Sequence, residues 1–294
     1  MSGAKFPAYL RLARISNLPT VFSNVLLGVA LAAGAGPFPW EATLVAVLTT
    51  SFLYISGMAL NDLVDRHIDA AERPERPIPS GVLSVREVAI FVGICFSLPL
   101  AGVFLIAPRS TILAVALVVA IVLYNAFHKR WSGALVFMGL CRALVYFLGA
   151  AITAEVMQRS VDVGEVVLFA TLLSIYIIAL TIIAQKEVQG GLGYRRWLAV
   201  ALVFLPFSAL LATAPVSTAW TLFTGALLFT WLARSARLIR KQPPSVVPAV
   251  LGWLSGISLL DAFFLSFTQR PALAIIALGC FAATVAGHRK IAGT

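Results

Sequence analysis

The sequence predicts an all-α, polytopic transmembrane bundle of about nine to ten spans, and three observations carry that expectation. Of the 294 residues, 60% are apolar and only 12% are charged, about half the charged fraction of a soluble globular domain. A soluble core cannot hide that much apolar surface, so lipid must solvate much of it. The apolar residues also fall in long runs, near the ~20 residues that a helix needs to cross a bilayer. Finally, the basic residues sort to alternate loops.

The first run, 15–34, follows Lys5, Arg11 and Arg14. Basic residues also open a secretory signal, but this run is longer than a signal's apolar region and shows no convincing small-residue cleavage site. It therefore reads as the first permanent span. Nine more runs follow, at 41–62, 86–107, 110–128, 132–153, 163–186, 197–213, 216–236, 247–268 and 271–288. Pro37 and Pro39, Pro108, Pro215, Pro243 and Pro244, and Pro271 punctuate the joints, where proline ends helices or starts turns. The runs 197–213 and 271–288 are the shortest and the least secure as spans. In lipid each segment must satisfy its own backbone hydrogen bonds, so the spans are helices. The chain 1–294 reads as a single integral membrane domain.

Charge tests this count. With the N-terminus in the cytoplasm, ten spans put 63–85, 129–131, 187–196, 237–246 and the C-terminal tail inside. Of 22 Lys and Arg residues, Arg109, Arg159 and Arg270 fall outside, Arg142 lies within a span, and the other 18 lie at inside ends and loops. That is a positive-inside pattern. It accounts for the net charge of +10 without a nucleic-acid partner, and it places the N-terminus and the loops discussed below in the cytoplasm, with a bacterial inner membrane as the expected setting. Nine spans would leave His288, Arg289 and Lys290 outside. Cys95, Cys141 and Cys280 sit in apolar runs without metal-ligand spacing, and they read as small core residues.

The longest inside loop opens with Asn61-Asp62-Leu63-Val64-Asp65-Arg66-His67-Ile68-Asp69. If the second span stays helical to Asp69, then Asn61, Asp65 and Asp69 recur about one turn apart on one face, with Asp62 beside them. Like charges so close together, near lipid, need compensation. Oxygen donors suit a hard cation such as Mg²⁺, which takes one or two carboxylates plus substrate phosphates. The bland alternative is a solvated acidic turn paired with Arg66, Arg73 and Arg76. Arg142 and Asp261, inside spans, are expected to face a bundle interior or an aqueous cavity. His67 and His128 lie at the same mouth without an evident acid–base partner and read as solvated flanks.

The pattern Asn-Asp-x-x-Asp-x-x-x-Asp at 61–69, followed by Arg76-Pro77-Ile78-Pro79-Ser80-Gly81, resembles the first aspartate-rich motif of the UbiA superfamily of intramembrane prenyltransferases. Arg14-Ile15-Ser16-Asn17-Leu18-Pro19-Thr20 resembles that family's first-helix entry, and Tyr124 and Lys129 resemble its Tyr and Lys near the end of the fourth span. The similarity covers about the first 200 residues in order, and the rest more loosely. It implies an allylic isoprenyl diphosphate held over Mg²⁺ in a cavity open to the cytoplasm, ionisation of the C1–O bond, and attack by a small-molecule acceptor. On that resemblance Asn61, Asp62, Asp65, Asp69 and Glu187 would hold metal. Arg73, Arg76, Lys129, Arg142 and Lys186 would contact the diphosphate. Asp62, Asp65, Lys129 and Tyr124 would serve catalysis, with Tyr124 bordering the reacting carbon.

Three departures stand beside the resemblance. Where the family commonly reads Lys-Asp-Ile-Glu-Gly-Asp, this chain has Lys186-Glu187-Val188-Gln189-Gly190-Gly191, one carboxylate in place of three. Tyr146 stands in a region where several members carry Asn. A tenth span exceeds the usual nine. The altered second motif, Met138-Gly139-Leu140-Cys141-Arg142 and the extra span together resemble the UbiA-like members encoded in bacterial ebo clusters. Two functions stay open: a Mg²⁺-dependent prenyltransferase with an unidentified acceptor, and a non-catalytic binder or carrier of an amphipathic metabolite. A metal-ion channel is disfavoured, because the acids cluster at one mouth instead of tracing a path across the bilayer. No protein partner is legible.

Overall fold

The computed structural model describes residues 2–186, 195–240 and 245–290, with side chains for 5–184, 197–240 and 245–290. The helices are α1 (Ser2–Leu12), α2 (Leu18–Ala33), α3 (Trp40–Val64), α4 (Arg66–Glu72), α5 (Val85–Ile106), α6 (Thr111–Phe127), α7 (Leu135–Met157), α8 (Val163–Lys186), α9 (Arg195–Phe204), α10 (Ala209–Ala212), α11 (Thr218–Arg240), α12 (Val246–Leu265) and α13 (Ala274–His288). Among the described residues there is no strand.

Among the described residues nine segments are long and apolar enough to cross a membrane, and the tenth expected run is a shorter apolar stretch, Trp197–Ala212. It breaks where α9 gives way to a 3-10 turn, Leu205–Ser208, that carries Pro206. Proline lacks the amide that a continuous helix needs, and a tighter turn takes up the break. This segment nonetheless joins the two faces of the bundle. α8 ends beside the face that carries Asp62. On the opposite face, the amides of Val216 and Ser217, just ahead of α11, donate to the Ser266 carbonyl at 3.1 and 3.2 Å. Among the described residues nine spans and this shorter stretch thus cross the bundle. α13 ends back on the carboxylate face, where His288 Nε2 lies 2.6 Å from Asn17 Oδ1.

Lipid-facing and core-facing helices separate cleanly. α5 and α6 present Ile94, Leu98, Leu105, Ile112, Val115 and Val119 outward. α2 is buried along most of its length and crosses α7 at the centre. Glycines permit that crossing. A Cβ on Gly28 would sit 2.4 Å from the Tyr146 carbonyl oxygen, and one on Gly149 would sit 3.1 Å from the Val25 carbonyl oxygen. Backbone-to-backbone approach of this kind is how small residues join helices in lipid.

α2 is also fixed at its far end. Arg159 Nη1 donates to the Ala33 carbonyl at 3.0 Å and Arg270 Nε to the Gly34 carbonyl at 2.9 Å, with Arg270 also reaching Gly36. Two of the three arginines expected outside thus satisfy the open carbonyls of a helix C-terminus.

A carboxylate ties α2, α7 and α12 together at depth. Asp261 on α12 is fully buried. It accepts from Ser23, from Asn24 Nδ2 at 2.8 and 3.1 Å, and from the Tyr146 hydroxyl. Ser23 Oγ also lies 3.0 Å from Ser258 Oγ, whose hydroxyl can donate to it. Asn24 in turn accepts from Arg142 Nη1 at 2.8 Å. Tyr146 is thus an anchor of this network.

Gly28→Ala should lower stability in detergent by about 1–3 kcal/mol, the usual range for forced overpacking. Gly93→Ala, where an added Cβ meets nothing within 4 Å, should leave it unchanged. Thermal unfolding of the two variants beside the parent chain checks the pair.

Candidate active site

α3 ends at Val64, and Asp65 forms its joint with α4 at φ −80°, ψ 0°. The helical register survives the joint, because the amides of Asp65 and Asp69 bond to the carbonyls of Asn61 and Asp65 at 2.9 Å each. Asn61, Asp65 and Asp69 therefore keep their one-turn spacing. Their partners divide them, however. Asn61 donates to Asn125 Oδ1 at 3.0 Å and accepts from Arg14 at 3.3 Å. Asp65 Oδ2 meets His128 Nε2 at 3.1 Å. Arg76 Nη1 reaches Asp69 at 2.6 Å and Asp62 at 3.2 Å. Asp62 and Asp69 lie two turns apart, and it is this pair, not the expected stripe, that shares one cation. Arg14 adds a second cation to Asp62 at 3.5 Å. All three aspartates are buried.

Local geometry delivers these cations. Arg14 sits at φ 43° in the left-handed region, which a non-glycine residue enters only when its surroundings hold it there. Arg76 opens a turn closed by the Ser80 amide on its carbonyl at 3.0 Å, and Gly81 at φ 75° then redirects the chain toward α5.

His128 corrects the expectation of a solvated flank. Its side chain is largely buried, Nε2 faces Asp65, and Nδ1 faces the Asn125 carbonyl at 3.1 Å. Both ring nitrogens thus face oxygen acceptors. Its ring stacks on Tyr124 with centroids 5.2 Å apart. Burial pushes the Asp65 carboxyl up, but the hydrogen bond and charge of His128, with the charges of Lys129 and Arg76, outweigh it and hold the group below the ordinary carboxylate value. His67 stays exposed, as expected.

The donor set suits a hard divalent cation by its chemistry: three buried carboxylates and an amide oxygen. One oxygen, Asp65 Oδ1, is buried and has no hydrogen-bond partner, a costly state unless something claims it. Among the described residues no three acidic, histidine or cysteine side chains converge as a ready-made metal cage. Arg76 stands between Asp62 and Asp69, and His128 draws Asp65 aside.

Below this mouth lies a cavity of about 290 Å³ walled by α2, α3, α6, α7, α8 and α12. Arg14, Arg73, Tyr54, Tyr124 and Arg142 give it polar points, and the rest of the lining is mostly apolar. Lys129 is exposed at the mouth. Lys186 ends α8, and its side chain, with Glu187, lies outside the described residues. A wider hollow of about 780 Å³ on the opposite face is lined by Arg109, Glu155 and Arg159. It holds none of the aspartates, and Glu155 and Arg159 are spent on backbone groups.

Sequence reasoning gave no role to Arg14, Asn24 or Asn125. Arg14 carried a signal, since it opens the first-helix entry segment. Asn24 and Asn125 carried another, as amides inside apolar spans, where a polar side chain needs a partner.

The fold and the site together define a polytopic membrane protein with a charged mouth above a largely apolar chamber. A profile of the UbiA prenyltransferase family matches residues 21–257, and the chain belongs to that family. A digeranylgeranylglyceryl phosphate synthase of Haloquadratum walsbyi is 33% identical over 127 residues, 42% of each chain. The chain thus aligns with less than half of that relative's length. The enzyme of the same name from Metallosphaera sedula is 27% identical over 271 residues, 90% of this chain and 85% of that one. A UbiA homologue from Archaeoglobus fulgidus, solved with GPP and Mg²⁺, superposes with a TM-score of 0.62 at 14% identity over 94% of this chain and 99% of that one. This last likeness is one of fold.

His128→Ala should destabilise the protein near neutral pH, because Asp65 loses the partner that offsets its burial. A carboxyl held below its ordinary value contributes stability above that value and loses it as pH falls through the lowered one. The gap between parent and variant should therefore narrow below about pH 4. Denaturation at pH 7 and at about pH 3 measures it.

Proposed function

We propose that this chain is a Mg²⁺-dependent prenyltransferase that moves a prenyl group from an allylic isoprenyl diphosphate to a small-molecule acceptor. One observation carries this reading above the others: three buried aspartates, held by Arg14, Arg76 and His128, stand at the mouth of a chamber whose inner walls are mostly apolar. The charged end suits a diphosphate and the walls suit its hydrocarbon tail. Asn61, Asp62, Asp65 and Asp69 would hold the metal, with Glu187 as a further donor, and the bound ion would supply positive charge to the leaving diphosphate.

The chain's own residues do the rest. Arg73, Arg76, Lys129 and Lys186 would grip diphosphate oxygens, while Arg142, expected among them, lies deeper, over the Tyr54 ring, and takes another role. Arg76 would move from Asp62 and Asp69 to do so, exchanging one anion for another. As the C1–O bond breaks, its electron pair leaves with the diphosphate, where fixed cations stabilise the growing charge. The acceptor's nucleophile then bonds to C1 and gives up its proton. Tyr124, stacked on His128, would border C1, and the apolar walls would keep water from the allyl cation. The positive-inside charge pattern supports a cytoplasmic mouth. The segment Met138–Arg142 and the shorter tenth stretch support placing the chain in the ebo-cluster branch.

Pyrophosphate release by the protein in nanodiscs is the direct test, with geranyl, farnesyl and geranylgeranyl diphosphates, Mg²⁺ and a panel of aromatic and glycerol-phosphate acceptors. Release should require Mg²⁺ and fall on the order of 100-fold in Asp65→Ala. Mg²⁺-dependent binding of every donor without release would instead favour a binder or carrier, the alternative that Gln189 and Gly191 in the second motif support.

A further inference from the structure

We infer that Arg142 forms a second anion subsite, deep in the cavity, for a carboxylate or phosphate group on the acceptor. The acceptor's role rests on the transferase reading, while the subsite itself does not. Arg142 is only 9% exposed and lines the cavity. Among the described residues its hydrogen bond runs from Nη1 to Asn24. Among the described residues no acid lies within ion-pair distance of it. Asp261 stands behind Asn24, with its oxygens taken by Ser23, Asn24 and Tyr146. A guanidinium offers five N–H donors in a planar fork. Most of this fork is therefore uncommitted, and it borders the cavity.

Depth separates this group from the mouth. The guanidinium lies over the Tyr54 ring, 5.8 Å from its centroid. Tyr54 and Asp62 are eight residues apart on α3, about 12 Å at the helical rise. A diphosphate seated among Asp62, Arg73 and Arg76 does not fill that gap. The prenyl C1 would lie within it, so an acceptor bridging from C1 to Arg142 presents its nucleophile at one end and its anion at the other. Tyr54 and Tyr124 offer flat walls between the two. A fork held from behind by Asn24 suits the paired oxygens of a carboxylate or a phosphate.

Cys141 lines the same cavity next to Arg142, and it serves as the reporter. With Cys95 and Cys280 changed to Ala, the full chain in nanodiscs is treated with anionic ethylsulfonate or cationic trimethylammonium-ethyl methanethiosulfonate. After correction for the reagents' rates on a free thiol, the anionic reagent should react about 10-fold faster or more, the usual effect of a charged cleft on local ion concentration. Benzoate or inorganic phosphate should slow it, and which of the two protects better tells a carboxylate acceptor from a phosphate one. Arg142→Gln should abolish both preference and protection, and Arg142→Lys should keep the preference. Binding of Mg²⁺ with geranylgeranyl diphosphate should stay within about threefold in Arg142→Gln and fall more than about 10-fold in Arg76→Gln. No charge preference, no reaction with either reagent, or a preference that survives Arg142→Gln would overturn the subsite. Loss of diphosphate binding in Arg142→Gln would overturn it too, by placing Arg142 on the donor. If the unmutated chain binds no diphosphate, the transferase reading fails while the labelling still decides the subsite.

Discussion

A carboxylate buried among apolar helices must find hydrogen-bond donors or carry a prohibitive desolvation cost. Asp261 finds its donors on α2 and α7, through Ser23, Asn24 and Tyr146. That requirement brings three helices from distant parts of the chain to one point. The glycine contacts between α2 and α7 lie along the same crossing, so polar and steric terms specify one geometry. The chamber lies on the carboxylate side of this crossing. Its inner arginine is held in turn by the asparagine that the aspartate holds. Packing, polar satisfaction and the placement of a charged group in the chamber are thus one arrangement.

The mouth follows a different rule. Asp62, Asp65 and Asp69 all sit where solvation is poor, and each has a basic contact: Arg14 and Arg76 for Asp62, His128 for Asp65, and the shared Arg76 for Asp69. Breaking any such pair leaves an uncompensated charge, which costs more than the intact pair contributes. The partners come from the N-terminal segment, the turn after α4 and the end of α6. Three elements that are separate in sequence therefore meet only because each carries one half of a charge pair.

Much of the fold was legible in the sequence, since hydropathy and prolines mark the spans and the basic residues mark their direction. Among the described residues the nine spans, the shorter tenth stretch and the return of α13 to the carboxylate face follow that reading. Pro206 was visible too, yet hydropathy averages over a window and does not register one missing amide. At the site, the four-residue spacing of Asn61, Asp65 and Asp69 was correct as register, but partners depend on tertiary contacts. His128 lies 63 residues from Asp65 and Asn24 lies 237 from Asp261, and no local pattern reports such pairings. The sharing of Arg76 by Asp62 and Asp69 follows from their two-turn spacing, which a one-turn search passes over.

The segment Trp197–Ala212 has sixteen residues and one tight turn, a reach of about 25 Å at helical rise. The hydrocarbon layer is about 30 Å thick. Lipids flanking α9 and α10 must shorten their tails or let headgroups dip toward the core, at a fraction of a kcal/mol per ångström of mismatch. The spans Trp40–Val64 and Val85–Ile106, at 25 and 22 residues, reach the full height of the layer. The protein would therefore carry a dimpled flank, easiest to solvate in bilayers of short or unsaturated chains, and lipid composition would become a variable acting on one side of the molecule.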